Sequence, residues 1–274
     1  MTIQLGNVNP AESGSADRRR LFDLSKLGLR YEGIVDAKTG ATNGLQVLLT
    51  GAEGCSIPHA WANQGWNAVQ GSGRVDEQVL RIACAQLKAW RREGFEISLC
   101  VPISSKSLAQ PGVADAWLAV MRNAEVNPRC VNFGITPLSG DRGPAVASNM
   151  AKLAEAGASF SLLGFGTGYS SLAQLKAIPF ARLEVCEEYV RDLGSDDDGA
   201  AIVRSTLAMA KGLGLRTSLA GVVSLDVARK GAGLGADELR GSWSSAPSPA
   251  EQVREQGMLR HVDVSSMSVL QSFF

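Results

Sequence analysis

Short apolar or alternating runs recur along the chain, separated by longer segments whose apolar residues return every three or four positions. The runs read as strands over Leu29–Val35, Leu45–Leu49, Ile97–Pro102, Cys130–Ile135, Ser159–Leu163, Arg182–Val185, Arg216–Leu219 and roughly Ala236–Leu239, each bounded by Gly, Pro or polar residues. The intervening segments read as amphipathic helices. These are Asp76–Trp90, with Val79, Ile82, Ala83, Leu87 and Trp90 on one face, then Val113–Arg122, Pro144–Ala156, Ala200–Leu213 and Leu225–Leu234. Strands that alternate with helices predict a parallel sheet, because a parallel neighbour needs a crossover that a helix usually supplies. Eight strands in 274 residues favour a closed (β/α) barrel. The competing open, doubly wound sheet would carry a G-x-G-x-x-G turn after its first strand, and Gly33–Gly44 has none.

Composition fits that picture and removes several functions. Hydrophobic residues make up 45% of the chain and charged residues 20%, as in a globular protein with a large core. Lys plus Arg equal Asp plus Glu at 27 each, so no overall positive field draws in nucleic acid or an anionic membrane. Arg18-Arg19-Arg20 is the nearest thing to a basic patch, and reads as a solvated helix start. No run is long and apolar enough to span a bilayer and no signal-peptide core is visible, so the expected location is the cytoplasm. Cys55, Cys84, Cys100, Cys130 and Cys186 are widely spaced and odd in number, and read as buried reduced thiols. His59 and His261 are too few for a histidine metal site or a Ser-His-Asp triad.

Three features leave alternatives open. The acidic run Gly194–Gly199 reads as a solvated loop carrying charge to a helix N-terminus, with cation binding as the second reading. Trp61, Trp66 and Trp243 suit core packing, the commoner fate of tryptophan, or stacking on a base. Residues 1–25 and 257–274 read as extensions to a core over 26–256, with Phe273 and Phe274 packing on the domain or serving as a docking tail.

At Phe165-Gly166-Thr167-Gly168-Tyr169-Ser170-Ser171, followed by Leu172, Leu175 and Pro179, the chain resembles the EAL-domain family, the bacterial cyclic di-GMP phosphodiesterases. Three further segments agree. Tyr31-Glu32-Gly33-Ile34-Val35-Asp36 is similar to the family's Y-Q-P-I-V-D first strand, Gly221-Val222 to its A-E-G-V-E-T segment, and Gly241 with Pro247 and Pro249 to its Q-G-Y-x-F-x-x-P-x-P close. The resemblance covers about residues 26 to 256 and implies a modified TIM-type (β/α)8 barrel with one antiparallel strand. It also implies a site at the C-terminal ends of the strands.

Hydrolysis in this family takes two divalent cations held by carboxylates and an amide. On the resemblance, the signature glutamate falls on Gln46 and the phosphate-holding arginine on Thr50. The asparagine ligand falls on or beside Pro102, and the two acidic positions of E-I-T-E-S fall on Gly134 and Pro137. The paired aspartates fall on Leu163 and Gly164, and the lysine and aspartate of L-K-I-D on Glu184 and Cys186. The last glutamates fall on Ala220 and Val223, and the late glutamine on Arg240. A metal ligand is replaced at every such position while the surrounding glycines and apolar residues persist.

The resemblance therefore implies a degenerate member that is not an enzyme, holds no metal or other cofactor, and acts by contact with a protein partner. The setting is cyclic di-GMP-linked control of motility, pili, biofilm or virulence. A metal-free cyclic di-GMP receptor using Arg240 is the alternative, and an active phosphodiesterase the least supported reading. The Phe165–Ser171 loop, which couples metal site to dimer interface in the family, is read here mainly as a structural turn, with homodimerisation through it or its helix as the second reading. Arg240 and Glu184 are expected at strand ends around one mouth, where an ion pair and two separately solvated side chains are equally open.

Overall fold

The computed structural model describes residues 28–50, 74–135, 144–166, 175, 178–191, 193 and 197–259. Outside them lie Arg18–Arg20, Cys55, both histidines, Trp61, Trp66, Pro137, Thr167–Ser171, Gly194–Asp196, Phe273 and Phe274.

Eight strands close into one barrel in sequence order: β1 (Gly28–Asp36), β2 (Thr42–Thr50), β3 (Ser98–Ile103), β4 (Val131–Ile135), β5 (Ser159–Phe165), β6 (Arg182–Val185), β7 (Arg216–Leu219) and β8 (Glu238–Arg240). Strand β1 runs antiparallel to both its neighbours, and the other pairs are parallel. The reversal follows from the tight turn after β1. There Asp36 accepts from the N–H groups of Lys38 and Thr39 and from the Thr39 hydroxyl, closing a hairpin too short for a crossover.

The helices in chain order are α1 (Arg74–Arg92), α2 (Ser105–Leu108), α3 (Val113–Asn123), α4 (Pro144–Glu155), α5 (Glu187–Arg191), α6 (Asp197–Gly212), α7 (Leu225–Gly233) and α8 (Ala250–Glu255). None among the described residues is long and apolar enough to cross a membrane. Helix α1 buries Val79, Leu80, Ala83, Leu87 and Trp90 against the barrel, while Ile82 stays only half-buried. Outward-facing strand residues meet this layer: Tyr31 packs edge-on to Trp90 at 4.8 Å, and Trp117, Phe133 and Phe160 stack in succession. The acidic run feeds a helix, since α6 starts at Asp197.

Side-chain direction alternates along a strand, so the residues between those core positions point into the lumen. There the apolar content shrinks to a small separate cluster of Ile34, Cys100 and Leu163. Most of the charged and amide side chains of the strands lie there as well, which sets the chemistry of the barrel.

Candidate functional site

Two charged layers cross the lumen. Near the N-terminal ends of the parallel strands, Glu238 on β8 takes Arg182 of β6 at 2.6 Å and Arg216 of β7 at 3.2 Å. Above it Asn132 donates to Ser159 Oγ at 2.8 Å and accepts from the Ser161 hydroxyl at 2.6 Å and the Cys100 thiol at 3.2 Å. Burial pushes that thiol up to about 12, the Arg182 guanidinium pulling the other way, so Cys100 is an inert neutral donor.

The second layer lies toward the C-terminal ends. Arg240, the last residue of β8, forms a fork on Glu184 of β6, its Nε to Oε2 at 3.1 Å and its Nη2 to Oε1 at 3.0 Å. Its Nη1 reaches Glu32 Oε2 on β1 at 2.5 Å. The triad is buried, with Arg240 and Glu32 each 6% exposed and Glu184 3%. Burial opposes the charge on Arg240, and the two carboxylates outweigh it, holding the guanidinium protonated well above its ordinary range. Two carboxylates against one guanidinium leave the layer formally negative by one charge. The ion pair between Arg240 and Glu184 thus forms, as a fork rather than a loose surface contact.

Gln46 stands beside Glu32 as its cross-strand partner on β2. Its amide nitrogen donates to the carbonyls of Val47 at 3.1 Å and Cys100 at 3.3 Å. Its Oε1 is buried and accepts no hydrogen bond among the described residues. With both amide protons committed, Gln46 cannot flip to satisfy that oxygen.

Between the layers the lumen is plugged by a matched pair. A Cβ on Gly134 would lie 2.6 Å from Leu163 Cδ1 and 3.2 Å from Cys100 Sγ, so Leu163 fills the volume that a side chain on β4 would need. Pro102 is the register partner of Gly134 on β3. Gln46, Pro102, Gly134, Leu163, Glu184 and Arg240 therefore converge on one lumen.

The other positions lie farther along. Thr50 shares the face of Gln46 and is buried against Gly28 at the C-terminal end of β2, and Ala220 and Cys186 are buried just past the C-terminal ends of β7 and β6. Val223 is 48% exposed and faces outward on the rim with Leu225 at 49%. Gly164, just past Leu163, takes a φ of 65°, and the adjoining Phe165 is half-buried. Gly166 takes a φ of 111°, and a Cβ there would press on Tyr189, which accounts for glycine at that turn. Gly241 follows Arg240 with a φ of 154°, and its Cβ would collide with the Val222 backbone. That close approach sets the point at which β8 leaves the barrel and holds Arg240 over the lumen. Trp243 is half-buried and packs against the core, in line with the packing reading.

The EAL domain family matches residues 15–247. The chain belongs to that family. This EAL domain is 28% identical over 245 residues to the bifunctional diguanylate cyclase/cyclic di-GMP phosphodiesterase MucR of Pseudomonas aeruginosa, covering 86% of the chain and 35% of that relative. It is also 28% identical over 248 residues to an uncharacterized protein of Mycobacterium tuberculosis, covering 86% of the chain and 39% of that relative. The chain thus spans little more than a third of the length of these curated relatives. Among solved structures, the MucR phosphodiesterase in complex with cyclic di-GMP matches with a TM-score of 0.74 at 28% identity, covering 87% of this chain and 98% of that one. The EAL domain of Mycobacterium smegmatis DcpA matches in fold with a TM-score of 0.71 at 24% identity, covering 87% and 97%.

Sequence reasoning missed one member of the EAL domain's charged layer. Glu32 stands where the first-strand motif has glutamine, and that difference carries meaning only beside Arg240. Cysteine burial also needs a correction, since Cys130 is half-buried, on the turn before β4, and takes an Arg91 N–H at 2.7 Å.

The donor set at this mouth does not suit a pair of divalent cations. Hard cations require several convergent oxygens, whereas the lumen presents a proline, a glycine, a leucine and one amide oxygen around a guanidinium that already engages both carboxylates, Glu32 and Glu184. Among the described residues no three His, Cys, Asp or Glu side chains cluster as a metal site.

Proposed function

We propose that this EAL domain is non-catalytic and works by protein contact within cyclic di-GMP-linked regulation. The observation that carries the reading is the Glu32–Arg240–Glu184 triad. A positive side chain fills the centre of the mouth, its two carboxylate partners are already spent on it, and an apolar Leu163 closes the floor. Two-metal phosphodiester hydrolysis needs carboxylates free to hold cations and activate water, and none of the described lumen residues supplies them.

The same triad weighs against the receptor reading. A bound cyclic dinucleotide brings two phosphates, and Arg240 would have to leave both carboxylates to meet one. That exchange would expose the formal negative charge of Glu32 and Glu184 to the anion. Kinship with relatives named as cyclic di-GMP phosphodiesterases supports this setting, and the pathway and a protein partner for this chain are inferred from that kinship and from the retained scaffold. Dimerisation through the Phe165–Ser171 turn remains part of the proposal.

Calorimetric titration with cyclic di-GMP, once with magnesium and once with EDTA, tests it. No heat in either buffer is expected, together with specific capture of a protein from the native extract. Micromolar binding that survives EDTA and disappears in Arg240→Ala would replace the proposal with the receptor reading.

A further inference from the structure

We infer that Arg240 is a built-in cation that closes the mouth to divalent metals, and that its removal uncovers a metal site made of Glu32, Glu184 and Gln46. The argument begins from the fork. Arg240 binds Glu184 through Nε and Nη2 and Glu32 through Nη1, so both carboxylates converge on the volume of a single guanidinium. A cation of smaller radius placed there lies within reach of both.

A third oxygen belongs to the same layer. Gln46 is the register partner of Glu32, so their side chains share the lumen face about 5 Å apart at Cβ. The Gln46 nitrogen is taken up by the Val47 and Cys100 carbonyls, and its Oε1 is buried and has no hydrogen-bond partner among the described residues, on a side chain that shares the lumen face with Glu32. Glu32 itself spends Oε2 on Arg240, and its Oε1 adds a fourth donor. Carboxylate and amide oxygens of this kind are the ligand class of Mg²⁺ and Mn²⁺.

With Arg240 present the site carries its own counter-charge, and a divalent ion entering it would have to displace a guanidinium held by three charge-assisted hydrogen bonds. Without Arg240, two buried carboxylates are left unpaired, a state relieved by protonation, by unfolding or by taking up a cation. On this inference the wild-type mouth keeps divalent ions out through one side chain, which occupies the carboxylates that would hold them. This inference stands apart from the adaptor reading, because its readout is metal binding and requires neither a partner nor cyclic di-GMP.

The test is Mn²⁺ titration of the wild-type chain, Arg240→Ala, and Arg240→Ala with Glu32→Gln, each checked by thermal melting in EDTA and in Mn²⁺. The inference expects a silent wild type and one Mn²⁺ per Arg240→Ala chain, bound at least about tenfold more tightly than any wild-type binding. That variant's melting point rises in Mn²⁺, and adding Glu32→Gln weakens the binding about tenfold or more. Equal binding by wild type and Arg240→Ala would overturn it. So would a folded Arg240→Ala that takes up no Mn²⁺, a variant unfolded in both EDTA and Mn²⁺, or affinity indifferent to Glu32→Gln.

Discussion

A single methyl group added at Gly134 tests whether the lumen floor is a matched pair. Its Cβ would stand 2.6 Å from Leu163 Cδ1, 3.1 Å from Leu163 Cγ and 3.2 Å from Cys100 Sγ, against the 3.5–4.0 Å optimum for carbon contacts. Leu163 is 1% exposed and clustered with Ile34 and Cys100, so it has no solvent to swing into. Overpacking of this kind costs about 1–3 kcal/mol, and Gly134→Ala should lower stability by that much. Leu163→Ala alone leaves a void and should cost about 2–5 kcal/mol. In the double variant the new methyl occupies part of that void, so the combined loss should fall short of the sum by about 1–2 kcal/mol. Urea denaturation of the four proteins, read as midpoints at constant slope, measures the coupling. Costs that add to within about 0.5 kcal/mol would refute the interlock.

Two other perturbations read different parts of the molecule. Arg240→Met leaves Glu32 and Glu184 unpaired in the lumen and should cost about 3–5 kcal/mol, largely recovered when both glutamates are also changed to leucine. A cost near zero by urea titration would show the triad to be energetically idle. Asp76 is buried at the start of α1, where it accepts the Ser104 N–H at 3.1 Å; burial raises its carboxyl to about 7, the Ser107 hydroxyl and Ser104 N–H pulling the other way. Because its folded value lies above the unfolded one near 3.8, the wild type keeps its full stability below about pH 4 and loses some as the pH rises to about 7. The loss is at most about 4 kcal/mol. Asp76→Asn should therefore gain on the wild type across that window, and a difference flat from pH 4 to 8 would contradict the buried acid.

Much of the barrel was legible because outward-facing strand residues are apolar and buried, as in Leu45, Val47 and Leu49 of β2 or Phe133 and Ile135 of β4. Strand β8 was placed early, at Ala236–Leu239, because two of its three residues are charged and lumen-facing, which no apolar pattern reveals. Helices α2, α5 and α8 are too short for a helical period to register. At the site, motif positions led directly to Gln46, Gly134, Leu163, Glu184 and Arg240. What they could not convey was pairing. Gly134 and Leu163 lie on different strands, and Glu32, Glu184 and Arg240 on three, so only closure of the barrel shows that each replacement compensates another. For Val223 the motif position gave no direction either, since a residue just past a strand end can turn either way, and here it is 48% exposed.

The most direct test of the central claim is incubation of the purified chain with cyclic di-GMP and excess Mg²⁺ or Mn²⁺, with the linear product quantified against a protein-free control. The account predicts no product above that control with either metal. Metal-dependent product formation that is lost in Gln46→Ala would contradict it, by showing that this mouth still assembles a hydrolytic centre around Arg240.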